Sequence, residues 1–91
     1  KPEDIQGKTP EEVGKMMKEK GWGDGQPTRA GGGTKWLHPK NKGEQVRIQP
    51  GNANDPNPVK QGPYGRISGN GPSGGQKTPP IPLKGNSKLN Q

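Results

Sequence analysis

The chain has 91 residues, of which 19% are hydrophobic and 3% aromatic, and it contains 17 glycines, 12 prolines and no cysteine. So few apolar side chains offset only part of the backbone entropy lost on folding, which excludes a large or multidomain enzyme. The lack of cysteine excludes disulfides, thiolate zinc sites and cysteine nucleophiles. No apolar run approaches the ~20 residues of a membrane-spanning helix. We therefore expect residues 1–91 to form one small, loop-rich domain, with a disordered interaction tail as the alternative that composition allows.

The net charge of +7 is distributed unevenly along the chain. Residues 1–24 hold five lysines and six acids, whereas residues 25–91 hold ten lysines and arginines and two acids, a charge of about +8. Clustered cations favour a polyanionic partner, because they release counterions from a phosphate backbone on binding. A surface that only keeps the protein in solution is the alternative.

The clearest local pattern is a helix over residues 10–20. Thr9 is a good N-cap, Pro10 suits the first helical position, and Glu12 completes a capping box. Gly21 ends the helix. The helical spacing predicts an apolar stripe that faces the core, extended by the residue just past the helix end: Val13, Met16, Met17 and Trp22. A partner-binding face is the alternative role for this stripe.

Two segments with strand character follow a glycine-rich turn at residues 30–33. The first covers residues 34–38 and the second residues 44–49, and a turn at residues 39–43 joins them into a hairpin. In the second segment, residues alternate between two faces. Val46 and Ile48 take one face, and Gln45, Arg47 and Gln49 take the other.

The rest of the chain is predicted to be mostly loop. Four prolines in residues 50–63 predict a long surface loop without regular structure. Residues 64–68 alternate again, residues 69–75 predict a flexible loop, residues 81–83 predict an edge strand, and the last residues should be loose. The fold class is therefore α+β: an N-terminal helix packed on a small antiparallel β-sheet within residues 34–83, with long Pro/Gly-rich loops.

The residue inventory argues against metal and phosphate-loop chemistry. One histidine, no cysteine and two acids in the basic part cannot supply a metal-ligand set, so we expect no metal and no cofactor. The glycines at 31–33 lead into a strand instead of a helix, so turn geometry explains them better than a phosphate-binding loop.

The remaining polar and charged side chains suit attack on a phosphodiester without a metal ion. His38 is the side chain that ordinarily accepts a proton near neutral pH, as abstraction from a ribose 2′-hydroxyl requires. Arg47 and Arg66, predicted on neighbouring strands, present planar forks for the non-bridging phosphate oxygens. Tyr64 shares the face of Arg66, and its hydroxyl suits donation to the phosphate or the leaving oxygen.

Each of these residues also has a structural alternative. His38 fits a surface position, the two arginines fit a solvated strand face, and Tyr64 fits a half-buried strand position. Lys35 precedes His38 by three residues, so in a regular strand the two face opposite sides. We expect three lysines to contact RNA: Lys35, Lys60 and Lys77.

Five short strings, in this order, carry a resemblance that spans nearly the whole chain. They are residues 7–13 (GKTPEEV), 18–22 (KEKGW), 43–52 (GEQVRIQPGN), 62–67 (GPYGRI) and 81–83 (IPL). Together they resemble the C-terminal toxin domains of bacterial polymorphic toxins, such as contact-dependent growth inhibition exoproteins and Rhs-type proteins.

The resemblance implies a small ribonuclease of the barnase, EndoU, colicin and RelE type of fold. It implies that the domain is the C-terminal part of a larger secreted toxin, acts in the cytoplasm of a competing cell, and is neutralised by a cognate immunity protein. An immunity protein that covers the basic surface should be acidic. The strands that carry Arg47 and residues 64–66 would form the floor of the site.

The sequence departs from the family pattern at one point. The pattern implies a histidine just before the terminal Ile-Pro-Leu, where this chain has Pro79 and Pro80, preceded by Thr78. This domain is therefore either inactive or dependent on His38 and Thr78 for its catalysis. The leading hypothesis is a metal-independent ribonuclease toxin that cleaves a structured RNA such as tRNA, and the alternative is a non-catalytic basic module that binds nucleic acid.

Overall fold

The chain folds as a helix followed by a strand meander, seen in a computed structural model that describes residues 4–29, 32–41, 43–69 and 77–90. The predicted glycine-rich turn at 30–33 and the predicted loop at 69–75 lie partly or mostly outside these residues. The elements are α1 (Pro10–Glu19), β1 (Gln26–Pro27), β2 (Thr34–Leu37), β3 (Gln45–Gln49), a 3-10 helix (Pro58–Gln61), β4 (Tyr64–Ser68) and β5 (Ile81–Pro82). The strands form one antiparallel sheet in the order β1-β2-β3-β4-β5. The predicted α+β class is thus confirmed.

Helix α1 begins with the predicted capping box. The Glu12 N–H donates to Thr9 Oγ1 (3.1 Å), and the Thr9 N–H donates to Glu12 Oε1 (2.8 Å). The backbone bond from Thr9, helped by the Thr9 hydroxyl, holds the pKa of the Glu12 carboxyl below its usual value. Gly21, with a φ of 85°, follows the C-cap. Within the described residues, no helix has the length and apolar character needed to cross a membrane.

The core lies between α1 and one face of the sheet. Its buried apolar residues are Ile5, Val13, Met17, Trp36, Val46, Ile48, Ile67, Ile81 and Leu83. Met16 and Trp22, predicted as core residues, are only partly buried against this cluster. Val13 and Met17 are one helical turn apart and face the sheet directly, which leaves Met16 at the margin. Ile5 and Leu83 belong to the centre of the core, although the sequence analysis assigned them no such role.

The segment after β5 is packed instead of loose, so the prediction of a loose C-terminal end is wrong for residues 84–90. The Gly7 N–H donates to the Pro82 carbonyl (3.1 Å), and the Lys84 N–H donates to the Lys8 carbonyl (3.0 Å). Residues next to the helix start thus hold the last strand in place. Asn86 is buried in this segment.

The proline-rich loop over residues 50–63 is also more regular than predicted. It contains the 3-10 helix Pro58–Gln61, because proline fits the first position of such a turn. The Asn86 side-chain amide donates to the carbonyls of Val59 (2.7 Å) and Pro63 (2.8 Å). These bonds fix the loop beside β4.

Candidate nucleic-acid interface

The sheet has one apolar face and one polar face. On β3, Val46 and Ile48 are buried, and Arg47 between them is exposed. The same alternation on β4 buries Ile67 and leaves Arg66 half-buried on the other side. Since α1 packs with the apolar face, the basic residues are collected on the opposite one.

Three cations form a row across the polar face. Lys35 of β2 lies opposite Arg47 of β3, and Arg47 lies opposite Arg66 of β4. Neighbouring strands are ~4.8 Å apart, and like charges directly opposite each other destabilise a sheet. None of the three forms an ion pair with a described residue. The row is therefore suited to a bound anion, which would relieve its repulsion.

Arg66 has hydrogen-bonding capacity that the described protein groups do not use. Its Nε is buried and has no hydrogen-bond partner among the described residues. A buried donor left without a partner is unfavourable, and most such groups in folded proteins are satisfied. The neighbouring Arg47 uses one nitrogen, Nη2, to donate to Gln45 Oε1 (3.3 Å). An oxyanion over this row would accept hydrogen bonds from both guanidinium groups.

A groove of about 420 Å³ lies over the two arginines of the row. Among the described residues, the charged side chains of its lining are all cationic, and one tyrosine lies with them: Arg47, Arg66, Lys60, Lys77 and Tyr64. Neutral polar residues complete it: Gln45, Gln49 and Ser68. The groove therefore combines positive charge with hydrogen-bond donors, as binding of a phosphate backbone requires.

The structure brings together most of the predicted site residues. Arg47 and Arg66 are neighbours across β3 and β4, and Tyr64 shares their face, opposite Gln49. Lys60 and Lys77 line the groove. Lys35 is not in the lining but lies at the β2 end of the cation row.

His38 does not join this group. It follows β2 on the side of Trp36 and packs edge-on against Trp22, with ring centroids 5.0 Å apart. Its Nδ1 accepts the N–H groups of Lys40 (3.0 Å) and Asn41 (3.2 Å), and its Nε2 lies 3.8 Å from Glu44 Oε2. The ring thus holds the β2–β3 turn, and the lone pair of Nδ1 is already used.

Thr78 also lies outside the groove lining. The Ile67 N–H donates to Thr78 Oγ1 (3.1 Å), and the Thr78 N–H donates to the Ile67 carbonyl (2.9 Å). Its hydroxyl therefore accepts a backbone N–H of β4 at a position that precedes β5 in the chain. The arrangement gives Thr78 a structural role beside the site.

Sequence reasoning had not assigned a site role to the neutral residues of the groove. Gln45 and Gln49 occupy the same face of β3 as Arg47, and Ser68 the same face of β4 as Arg66. The alternation that placed the arginines on this face was the signal that could have identified the other three. No sequence signal indicated that Asn86 fixes the adjacent loop.

Comparison of the chain with protein families, with characterised proteins and with solved structures found no match. Among the described residues, no group of three His, Cys, Asp or Glu side chains is placed to hold a metal ion.

Proposed function

We propose that this domain is a ribonuclease toxin that binds the phosphate backbone of RNA in the cationic groove and cleaves it without a metal ion. The row of Lys35, Arg47 and Arg66 is the observation that carries the proposal. Its cations lie on one face without counter-ions among the described residues, and the groove above Arg47 and Arg66 is large enough for part of an RNA strand. The substrate we propose is a structured RNA such as tRNA.

In this proposal the ribose 2′-hydroxyl attacks the adjacent phosphorus, and the bond to the 5′-oxygen breaks to leave a cyclic phosphate. Arg47 and Arg66 hold the non-bridging oxygens while negative charge builds on them. Tyr64, on the same face as Arg66, is the candidate donor to the leaving oxygen, and the proton of the 2′-hydroxyl passes to solvent water. Lys60 and Lys77 contact the flanking phosphates as cations. DNA lacks the attacking hydroxyl and would not be cleaved.

The biological setting belongs to the same proposal. As the resemblance implies, the domain would be the C-terminal part of a larger secreted toxin and would act in the cytoplasm of a competing cell. A cognate immunity protein that blocks the groove would be acidic, because it has to match the positive potential of the lining.

The test is incubation of the purified domain with total bacterial RNA in EDTA, followed by mapping of the fragment ends. We expect cleavage with cyclic-phosphate ends, and Arg47→Ala and Arg66→Ala should each slow it about 10²- to 10³-fold. Lys15→Ala removes a cation from an exposed position of α1 and should change the rate little. RNA that stays intact, or equal rates for all three variants, would contradict the proposal.

A non-catalytic RNA-binding module is the second candidate. It is favoured by the position of His38, which leaves the groove without an imidazole. The same experiment separates the two functions, since such a module would retain RNA on the groove without producing fragments.

A further inference from the structure

A second cavity, of about 280 Å³, lies beside the groove. It shares Gln49, Lys60 and Tyr64 with the groove lining. Its other walls come from the start of the proline-rich loop, including Asn52 and Asp55. A ligand bound in the groove therefore has a neighbouring cavity within reach.

Asp55 gives the second cavity a different chemistry from the groove. Of the residues that the structure describes, it is the one carboxylate in the lining of either cavity. Its Oδ1 accepts the Asn57 N–H (2.8 Å), while its Oδ2 has no partner among the described residues. A carboxylate repels phosphate but accepts hydrogen bonds from neutral N–H groups. The cavity therefore suits a group with N–H donors better than it suits a second phosphate.

The shared residues supply a stacking surface and hydrogen-bond donors. Tyr64 lines both cavities and offers a ring on which a base can stack. Gln49 Oε1 accepts the Thr28 hydroxyl (3.4 Å), which leaves the amide Nε2 of Gln49 to donate. Lys60 supplies further N–H donors.

The wall of this cavity is already held in place without a ligand. The Asn52 N–H donates to the Lys60 carbonyl (2.8 Å), and Gln61 Nε2 donates to the Asp55 carbonyl (2.8 Å). Both bonds close the loop on itself. A preformed cavity lowers the ordering entropy that binding would otherwise require.

We propose that the second cavity is a guanine-specific base subsite, which rests on the proposed function in that the groove holds the adjoining phosphate. Guanine presents two adjacent donor groups, N1–H and N2–H₂, which match the two oxygens of one carboxylate. Its O6, next to N1, accepts from Gln49 or Lys60. Adenine, cytosine and uracil each present one donor group on this edge, so they fit Asp55 less well.

The test uses short 2′-O-methyl oligouridines that carry guanosine, inosine or adenosine at one central position. They lack the attacking hydroxyl, so fluorescence anisotropy measures binding apart from cleavage. We expect the guanosine probe to bind about 5- to 100-fold more tightly than the other two. Inosine retains N1–H and O6 but lacks the 2-amino group, so it isolates the second donor.

The matched variants are Asp55→Asn and Asp24→Asn. An asparagine at 55 retains an oxygen for the Asn57 N–H but faces guanine with an amide, so the preference for guanosine over inosine should disappear. Asp24, exposed beside Lys18, controls for the change in net charge. Because both variants raise the overall affinity for RNA, the ratio between probes is the readout.

Equal binding of the three probes to the unmodified domain would overturn the subsite, and so would an unchanged ratio in Asp55→Asn. A guanosine preference without cleavage of ordinary RNA would leave the subsite standing and remove the ribonuclease proposal. Failure to bind any of the probes would remove both.

Discussion

At the scale of residues, His38 and Arg66 show what strand alternation can and cannot predict. Alternation along each strand placed Arg66 on the same face as Tyr64 and placed Lys35 and His38 on different faces. It did not show which face of β2 meets the arginine face of β3, because the pairing register depends on tertiary packing. The observed register joins Lys35 to Arg47 and so leaves His38 on the other side.

Replacing His38 by alanine should leave RNA cleavage within about threefold of the unmodified rate, since the imidazole is outside the groove. The melting temperature should fall, because the variant loses the acceptor for two N–H groups of the β2–β3 turn and the contact with Trp22. The check is cleavage of one RNA below both melting temperatures, with circular dichroism as the measure of folding. A folded variant without activity would restore His38 as the general base.

The capping box should make part of the stability depend on pH. The pKa of Glu12 is lowered in the folded state by the hydrogen bonds from Thr9, so the carboxylate stabilises the fold. This contribution is complete above the ordinary glutamate pKa and is lost as the pH falls through the lowered value. Urea unfolding at several pH values should show the loss for the unmodified protein and not for Glu12→Gln. Glu19→Gln, at the other end of α1, should retain the dependence on pH.

At the scale of elements, the sequence best predicted those helices and strands that depend on interactions between residues close together in the chain. The helix and the β2–β3 hairpin are encoded by caps, alternation and turns within a few residues, and both are present. The two-residue β1 was missed because it exists only by pairing with β2. The regular structure of the proline-rich loop was not predicted, because the loop is held by hydrogen bonds from Asn86, which lies far along the chain.

Gly14 is a position where α1 should gain stability by substitution. A Cβ there would lie 3.6 Å from Trp36 Cζ2, an ordinary contact, and alanine in a helix interior is favoured over glycine by ~1 kcal/mol. Gly14→Ala should raise the free energy of unfolding by ~0.5 to 1 kcal/mol in urea titrations. Gly25→Ala should do the opposite, because φ is +84° and the new Cβ would lie 2.7 Å from Thr34 Cγ2. A destabilised Gly14→Ala would refute the contact.

The two methionines of α1 should differ in their effect on stability. Met17 is buried and Met16 only partly so. Met17→Ala should lower the free energy of unfolding by ~2 to 5 kcal/mol, and Met16→Ala by clearly less. Chemical denaturation of both variants provides the comparison, and equal losses would show that the helix is rotated from the orientation described.

At the scale of the whole molecule, charge separates the two faces of the sheet as clearly as hydropathy does. Composition predicted a poorly stabilised domain with a polyanionic partner, and the sequence placed the excess charge after residue 25. It could not show that four cations share one groove, because their convergence depends on the pairing of β3 with β4 and on the placement of Lys60 and Lys77 beside that pair. Binding of RNA there should also stabilise the fold by mass action.

The affinity for RNA should fall steeply as salt increases. Four cations in the groove lining, if each neutralises one phosphate of a single strand, give a slope of log K against log salt near −3. Arg47→Ala should reduce the magnitude of the slope by about 0.7. Anisotropy titrations of one non-cleavable RNA across salt concentrations supply both values, and a slope near zero would show that binding does not depend on phosphate contacts.

The strand order has a consequence for how the chain reaches this structure. Because the strands pair in chain order, each hairpin can form from residues close in sequence, which favours fast folding. The bonds that join residues 7–8 to residues 82–84 need nearly the whole chain. We therefore expect the cation row on β2 to β4 to assemble early, and the docking of Ile5 and Leu83 into the core to be among the last folding events.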